Sequence, residues 1–61
     1  MNEQNLKSFA DLAISYGKKL GGTSYEQYEH AKEYLHVTKG LFMREDEYVF
    51  IVKQLASAFK V

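Results

Sequence analysis

Two histidines and several carboxylates are the residues of this chain whose types could bind a metal ion or catalyse a reaction. His30 and His36 are six residues apart, so they do not share one face of a helix. His30 lies at helical spacing from Glu26 and Glu33, but a metal site would need a further ligand from elsewhere in the fold. We interpret these side chains as parts of a hydrated helix surface and expect no metal site.

The rest of the chain carries no pattern typical of an enzyme. The acidic run Glu45-Asp46-Glu47 fits the first turn of a helix, where the helix dipole favours negative charge. There is no Ser/His/Asp arrangement, no glycine-rich phosphate loop and no cysteine for a thiolate site or a disulfide. The sequence therefore predicts a protein that is not an enzyme, with no catalytic residue, cofactor or small-molecule substrate.

The first helix is predicted over residues 4–20 by apolar positions that recur every three or four residues. The glycine pair Gly21-Gly22 supplies a left-handed stop after it. Small residues lie together on its inward stripe, so another helix backbone can approach closely there. The stripe consists of Leu6, Phe9, Ala10, Ala13, Tyr16, Gly17 and Leu20.

The second helix is predicted over residues 24–39. Thr23 or Ser24 is its N-cap, and Glu26 or Gln27 three residues later completes either version of a capping box. Lys39-Gly40 is expected to end it. The predicted inward residues are Tyr28, Ala31 and Leu35, with Tyr25 and Tyr34 at the margins.

A third helix is predicted over residues 44–60, although the run 48–52 consists of residues that prefer strands. A strand needs a partner strand, and no other segment offers one. As a helix, the segment places Tyr48, Ile51, Val52, Leu55 and Phe59 on one side. The sequence thus predicts a single all-α domain over residues 1–61, a three-helix mini-domain.

Apolar residues exceed what this small core can hide. Phe50 falls roughly opposite Phe59 on the third helix and is expected to point away from the core. One of Leu41 and Phe42 can fold back over the core, but the cluster as a whole has the aromatic and methionine content of protein-binding surfaces. We predict that this surface binds another protein, a second copy of the chain in a homodimer or a larger regulator whose activity it modulates. Its residues are Leu41, Phe42, Met43, Val49 and Phe50.

The alternative interpretation is a DNA-binding transcriptional regulator of the helix-turn-helix type. Leu35, Val37 and Thr38 match the residue types at the start of a recognition helix, but His36 replaces the turn glycine and Lys32 stands where a small alanine is expected. Eight basic and eight acidic residues cancel, so the charge does not favour nucleic acid. Nucleic-acid binding by this chain alone is therefore not the expected function.

No apolar stretch approaches the roughly 20 residues that span a bilayer, so no membrane association is expected. The chain is predicted to be cytoplasmic. Its size and style suggest a small bacterial or phage protein.

Overall fold

The fold consists of three α-helices that all contact one another. The structure, a computed structural model, describes residues 3–42 and 44–61, with side chains over 4–37 and 44–61. The helices are α1 (Glu3–Leu20), α2 (Ser24–Phe42) and α3 (Glu45–Phe59). The described residues contain no strand, and the run 48–52 is helical. The predicted all-α three-helix fold is confirmed.

The turn between α1 and α2 forms as the sequence indicates. Gly21 and Gly22 have φ of 76° and 97°, a conformation that glycine adopts without a steric penalty. The N–H of Thr23 donates to Oε1 of Glu26 at 2.9 Å, and the N–H of Glu26 donates to Oγ1 of Thr23 at 3.1 Å. Thr23 is therefore the N-cap of a reciprocal capping box, one of the two versions predicted.

Helix α2 does not end at Lys39-Gly40 as predicted but continues through both residues to Phe42. A single glycine inside a helix costs only about 1 kcal/mol relative to alanine. Gly40 stands alone, unlike the Gly21-Gly22 pair, and one residue of this kind does not force the chain out of the helix.

The core follows the predicted stripes of all three helices. It consists of fully buried residues and of half-buried residues packed against them. Leu20, predicted to face inward, is instead 49% exposed because it is the last residue of α1. The half-buried apolar residues packed on the core are Phe9, Ile14, Tyr28, Tyr34, Tyr48, Phe50 and Val52. The buried apolar residues are Leu6, Ala10, Ala13, Ala31, Leu35, Ile51, Leu55 and Phe59.

Helices α1 and α2 approach each other closely at Gly17. A Cβ atom added to Gly17 would overlap with the backbone carbonyl oxygen of Gln27 and lie 3.2 Å from Cζ of Phe59. The C-terminal ends of α1 and α3 therefore meet the N-terminal end of α2. The close backbone approach predicted for the small residues of the α1 stripe is present at Gly17.

One carboxylate, Glu47, is buried at the start of α3, with 5% of its surface exposed. Its Oε1 accepts a hydrogen bond from the backbone N–H of Arg44 at 2.9 Å. This hydrogen bond is the main reason why the pKa of Glu47 lies below its usual value, and the nearby guanidinium of Arg44 lowers the pKa further. The carboxylate is thus held in its charged form where the helix N-terminus favours it.

Glu47 should make the fold sensitive to acid. Because its pKa is lower in the folded than in the unfolded chain, its contribution is present above the unfolded pKa of about 4.3 and is lost as the pH falls through the folded pKa. We expect Glu47→Gln to flatten the fall in unfolding free energy below about pH 5. Urea unfolding at a series of pH values measures this.

Asp11→Asn is the control for this acid response, because it also removes one negative charge but from an exposed position on α1. A change that both variants share would reflect total charge. If the acid profile of Glu47→Gln matches that of the original chain, Glu47 does not supply the acid sensitivity.

Candidate functional site

The surface predicted to bind a partner is only partly within the described residues. The side chains of Leu41, Phe42 and Met43 lie outside them. Val49 is 43% exposed on α3, as a binding residue must be. Whether these residues bind a protein stays a prediction.

Phe50 does not point away from the core as predicted, because it is half-buried and packs against the core. The sequence analysis placed Glu47 in the first turn of the helix and did not count it among the inward residues. Glu47 is in fact the first buried residue of α3 and lies about 60° from Phe50, whereas Phe59 lies about 180° from it, at 100° per residue. The buried stripe drifts around the helix, so Phe50 flanks the core at the N-terminal end of α3.

A second apolar surface, not predicted, is an open depression between α1 and α2, here called the tyrosine groove. It is lined by Tyr16 of α1 and by Glu33, Tyr34 and Val37 of α2. The two tyrosine rings are in contact, with centroids 5.5 Å apart and planes tilted by 37°. Val37 is 74% exposed at the edge of the groove, the most exposed of the large apolar side chains in the described part.

The tyrosine groove could not be found from the periodicity of the sequence. Tyr16 was assigned to the inward stripe of α1, and Val37 was considered only as part of a helix-turn-helix motif. Their proximity depends on the register in which α1 docks on α2, and a single-helix pattern does not contain that register. The available signal was the excess of tyrosine on α2, which indicated a half-buried face.

Helix α2 also carries a charged cluster around Tyr28. The ammonium group of Lys32 lies 4.7 Å from the centroid of the Tyr28 ring and 3.3 Å from Oε2 of Glu29. A hydrogen bond from the Tyr25 hydroxyl is the main reason why the pKa of Glu29 is below its usual value, and Lys32 lowers it further. The cluster shows how this helix holds a cation between an aromatic ring and a carboxylate.

The two histidines occupy separate surroundings. His36 joins α2 to α3, since its Nε2 lies 3.3 Å from the Tyr48 hydroxyl and the two rings have centroids 5.6 Å apart. His30 is half-buried on α2. Among the side chains described, those of residues 4–37 and 44–61, no three His, Asp or Glu come together as metal ligands would.

The turn required by the helix-turn-helix alternative does not form at His36. Helix α2 runs from Ser24 to Phe42 without interruption, and Val37 is exposed where that motif would bury a branched apolar residue. The DNA-binding alternative therefore lacks its motif at this place in the fold. Of the three helices in the described chain, none has the length and apolarity needed to cross a bilayer. The cytoplasmic location stays a prediction.

Comparisons with protein-family models, with curated proteins and with solved structures found no match to this chain. The geometry of its surface is thus the basis for assigning a function.

Proposed function

We propose that this chain is a small non-enzymatic interaction protein that binds another protein through exposed apolar surface on α2 and α3. Val37 beside the tyrosine groove and Val49 on α3 are the described residues that would contribute. The segment 41–43 between them in sequence is part of the proposed surface. The partner is either a second copy of the chain, giving a homodimer, or a larger regulator that the chain modulates.

The observation that supports this proposal is the exposure of Val37. A valine that is 74% exposed leaves most of its apolar area in water, and burial of a whole valine side chain is worth about 1.5 to 3 kcal/mol. A lone exposed valine would be ordinary. Here it borders two tyrosine rings and a groove whose lining is mainly apolar, which is the kind of surface that protein interfaces use.

Leu41 links the groove to the segment predicted from the sequence. It occupies the backbone position one turn beyond Val37 on α2, since residues four apart follow one another along a helix face. The proposed surface therefore extends along α2 toward the connection with α3. Val49 is placed in the same surface because it lies near the start of α3, close in sequence to this connection.

Site-specific photo-crosslinking tests the proposal. We expect a benzophenone side chain placed at Val37 or Val49 to form a protein adduct in the cells that make the chain, at a yield several times that from Ser57. Ser57 is an exposed polar residue of α3 that lines a different cleft, so it reports random encounters.

The mass of the adduct identifies the partner. An adduct of twice the chain's 7.1 kDa would be the homodimer, and any other discrete mass would be a different protein. Equal yields at Val37, Val49 and Ser57 would contradict the proposal, because the apolar surface would then have no preferred contact.

A further inference from the structure

The tyrosine groove has the chemistry that recognises a cation. The faces of Tyr16 and Tyr34 carry the negative side of the ring quadrupole, and Glu33 adds a carboxylate at the same place. Both rings are half-buried and contact each other, and Tyr34 also packs against the core, while Glu33 is exposed and can reorient toward a ligand. A positive group in the groove would meet attraction from both kinds of partner.

Elsewhere in this protein, a tyrosine ring and a carboxylate already bind a cation, the side chain of a lysine. One turn earlier on α2, Lys32 lies over the Tyr28 ring and pairs with Glu29. Glu33 and Tyr34 repeat this pairing of a carboxylate with a tyrosine, and Tyr16 adds a second ring. Among the described residues, however, Glu33 has no ion pair or hydrogen bond, and the groove is lined by no cation.

A cation gains more from this groove than an occupant without charge. A neutral apolar group would gain no attraction from the exposed Glu33 carboxylate. A cation can form an ion pair with Glu33 and a contact with the tyrosine rings. The charge of Glu33 therefore favours one class of occupant over the aliphatic side chains that the apolar lining alone would accept.

We propose that the tyrosine groove binds an arginine side chain of the protein partner, with the guanidinium stacked on the tyrosine rings and paired with Glu33. This inference rests on the proposed function, since the arginine belongs to the bound protein. A guanidinium is planar, stacks on aromatic faces and is more weakly hydrated than an ammonium group, so arginine suits two tilted rings better than lysine. Val37 offers apolar surface to the methylene groups of the arginine stem.

Titration of the purified protein with a blocked single amino acid tests the site without any partner. The probe is N-acetyl-arginine amide, followed by NMR through the ring protons of Tyr16 and Tyr34. Its control is N-acetyl-citrulline amide, which has the same shape but no charge. We expect the arginine probe to shift these signals with an affinity at least about fivefold higher than that of citrulline.

Two variants that each lose one negative charge distinguish binding at the groove from a general effect of the protein's net charge. Glu33→Gln should reduce the affinity for the arginine probe several-fold, toward that for citrulline, with the remaining preference supplied by the tyrosine rings. Asp11→Asn, at an exposed carboxylate of another cleft, should leave the affinity unchanged. Glu33 is exposed, so its replacement is not expected to unfold the chain, and circular dichroism checks this. Equal shifts with both probes, or an unchanged affinity in Glu33→Gln, would overturn the inference.

The outcome is independent of the crosslinking result. Failure of the arginine titration while Val49 still forms adducts removes the arginine site and leaves the protein-binding proposal standing. A selective arginine response without any adduct supports the site and contradicts the proposed function.

Discussion

Leu55→Ala is expected to remove most of the stability of the fold. Leu55 is completely buried on α3 and is among the largest fully buried side chains of the described core. Replacing a buried leucine by alanine costs about 2 to 5 kcal/mol, because it removes apolar contacts and leaves a cavity. A single core in a domain below about 70 residues rarely supplies more than about 3 to 5 kcal/mol, so this loss can equal the whole stability.

Thermal and urea unfolding followed by circular dichroism measure this effect. Val49→Ala is the matched control, because it also shortens an apolar side chain on α3 but at an exposed position. We expect it to change the unfolding free energy by about 0.5 kcal/mol or less, as at most surface positions. If Leu55→Ala and Val49→Ala lower stability equally, the assignment of Leu55 to the core is wrong.

The half-buried position of Phe50 changes what its replacement by alanine would test. If Phe50 were an exposed binding residue, as the sequence predicted, alanine could replace it at no cost to folding. Because it is half-buried and packed against the core, its loss removes contacts within the chain. A change in association measured for that variant would therefore combine a loss of fold with a loss of surface, and Val49 is the better residue with which to probe binding.

The buried stripes could be predicted because each depends on the period of one helix. Ala13, Leu35 and Leu55 are all completely buried, as the three- and four-residue spacing indicated. The period does not identify a buried charge, since Glu47 is polar in every hydropathy pattern. The hydrogen bond that makes its burial tolerable comes from the backbone of Arg44 and exists only once α3 has begun.

The candidate site was predictable only in part, for a related reason. Exposure of Val49 followed from the helical wheel of α3 alone. The tyrosine groove, in contrast, is made by two helices, and Tyr16 meets Tyr34 only because α1 and α2 pack in one particular register. The residue that allows that register was visible in the sequence as Gly17, but its backbone partner Gln27 was not.

The second large effect is expected for Gly17→Ala, and its sign is opposite to the usual one. Alanine in place of glycine inside a helix normally stabilises by about 0.5 to 1 kcal/mol. At Gly17 the added Cβ would overlap with the carbonyl oxygen of Gln27, a backbone atom that cannot rotate away, and would press on the Phe59 ring. We expect a net loss of about 1 to 3 kcal/mol, the usual cost of overpacking, as α1 is pushed away from α2.

Ser15→Ala on the exposed side of α1 is the control for helix propensity, and it should stabilise slightly or have no effect. Urea unfolding gives both free energies, and the NMR ring signals of Tyr16 and Tyr34 report whether the helices have separated. Tyr16, which lines the tyrosine groove, is the neighbour of Gly17 in the sequence. Separation of α1 from α2 should therefore also weaken binding of the arginine probe. A Gly17→Ala variant more stable than the original chain would mean that α1 and α2 do not approach as closely as Gly17 and Gln27 indicate, and the groove between them would lose its geometric basis.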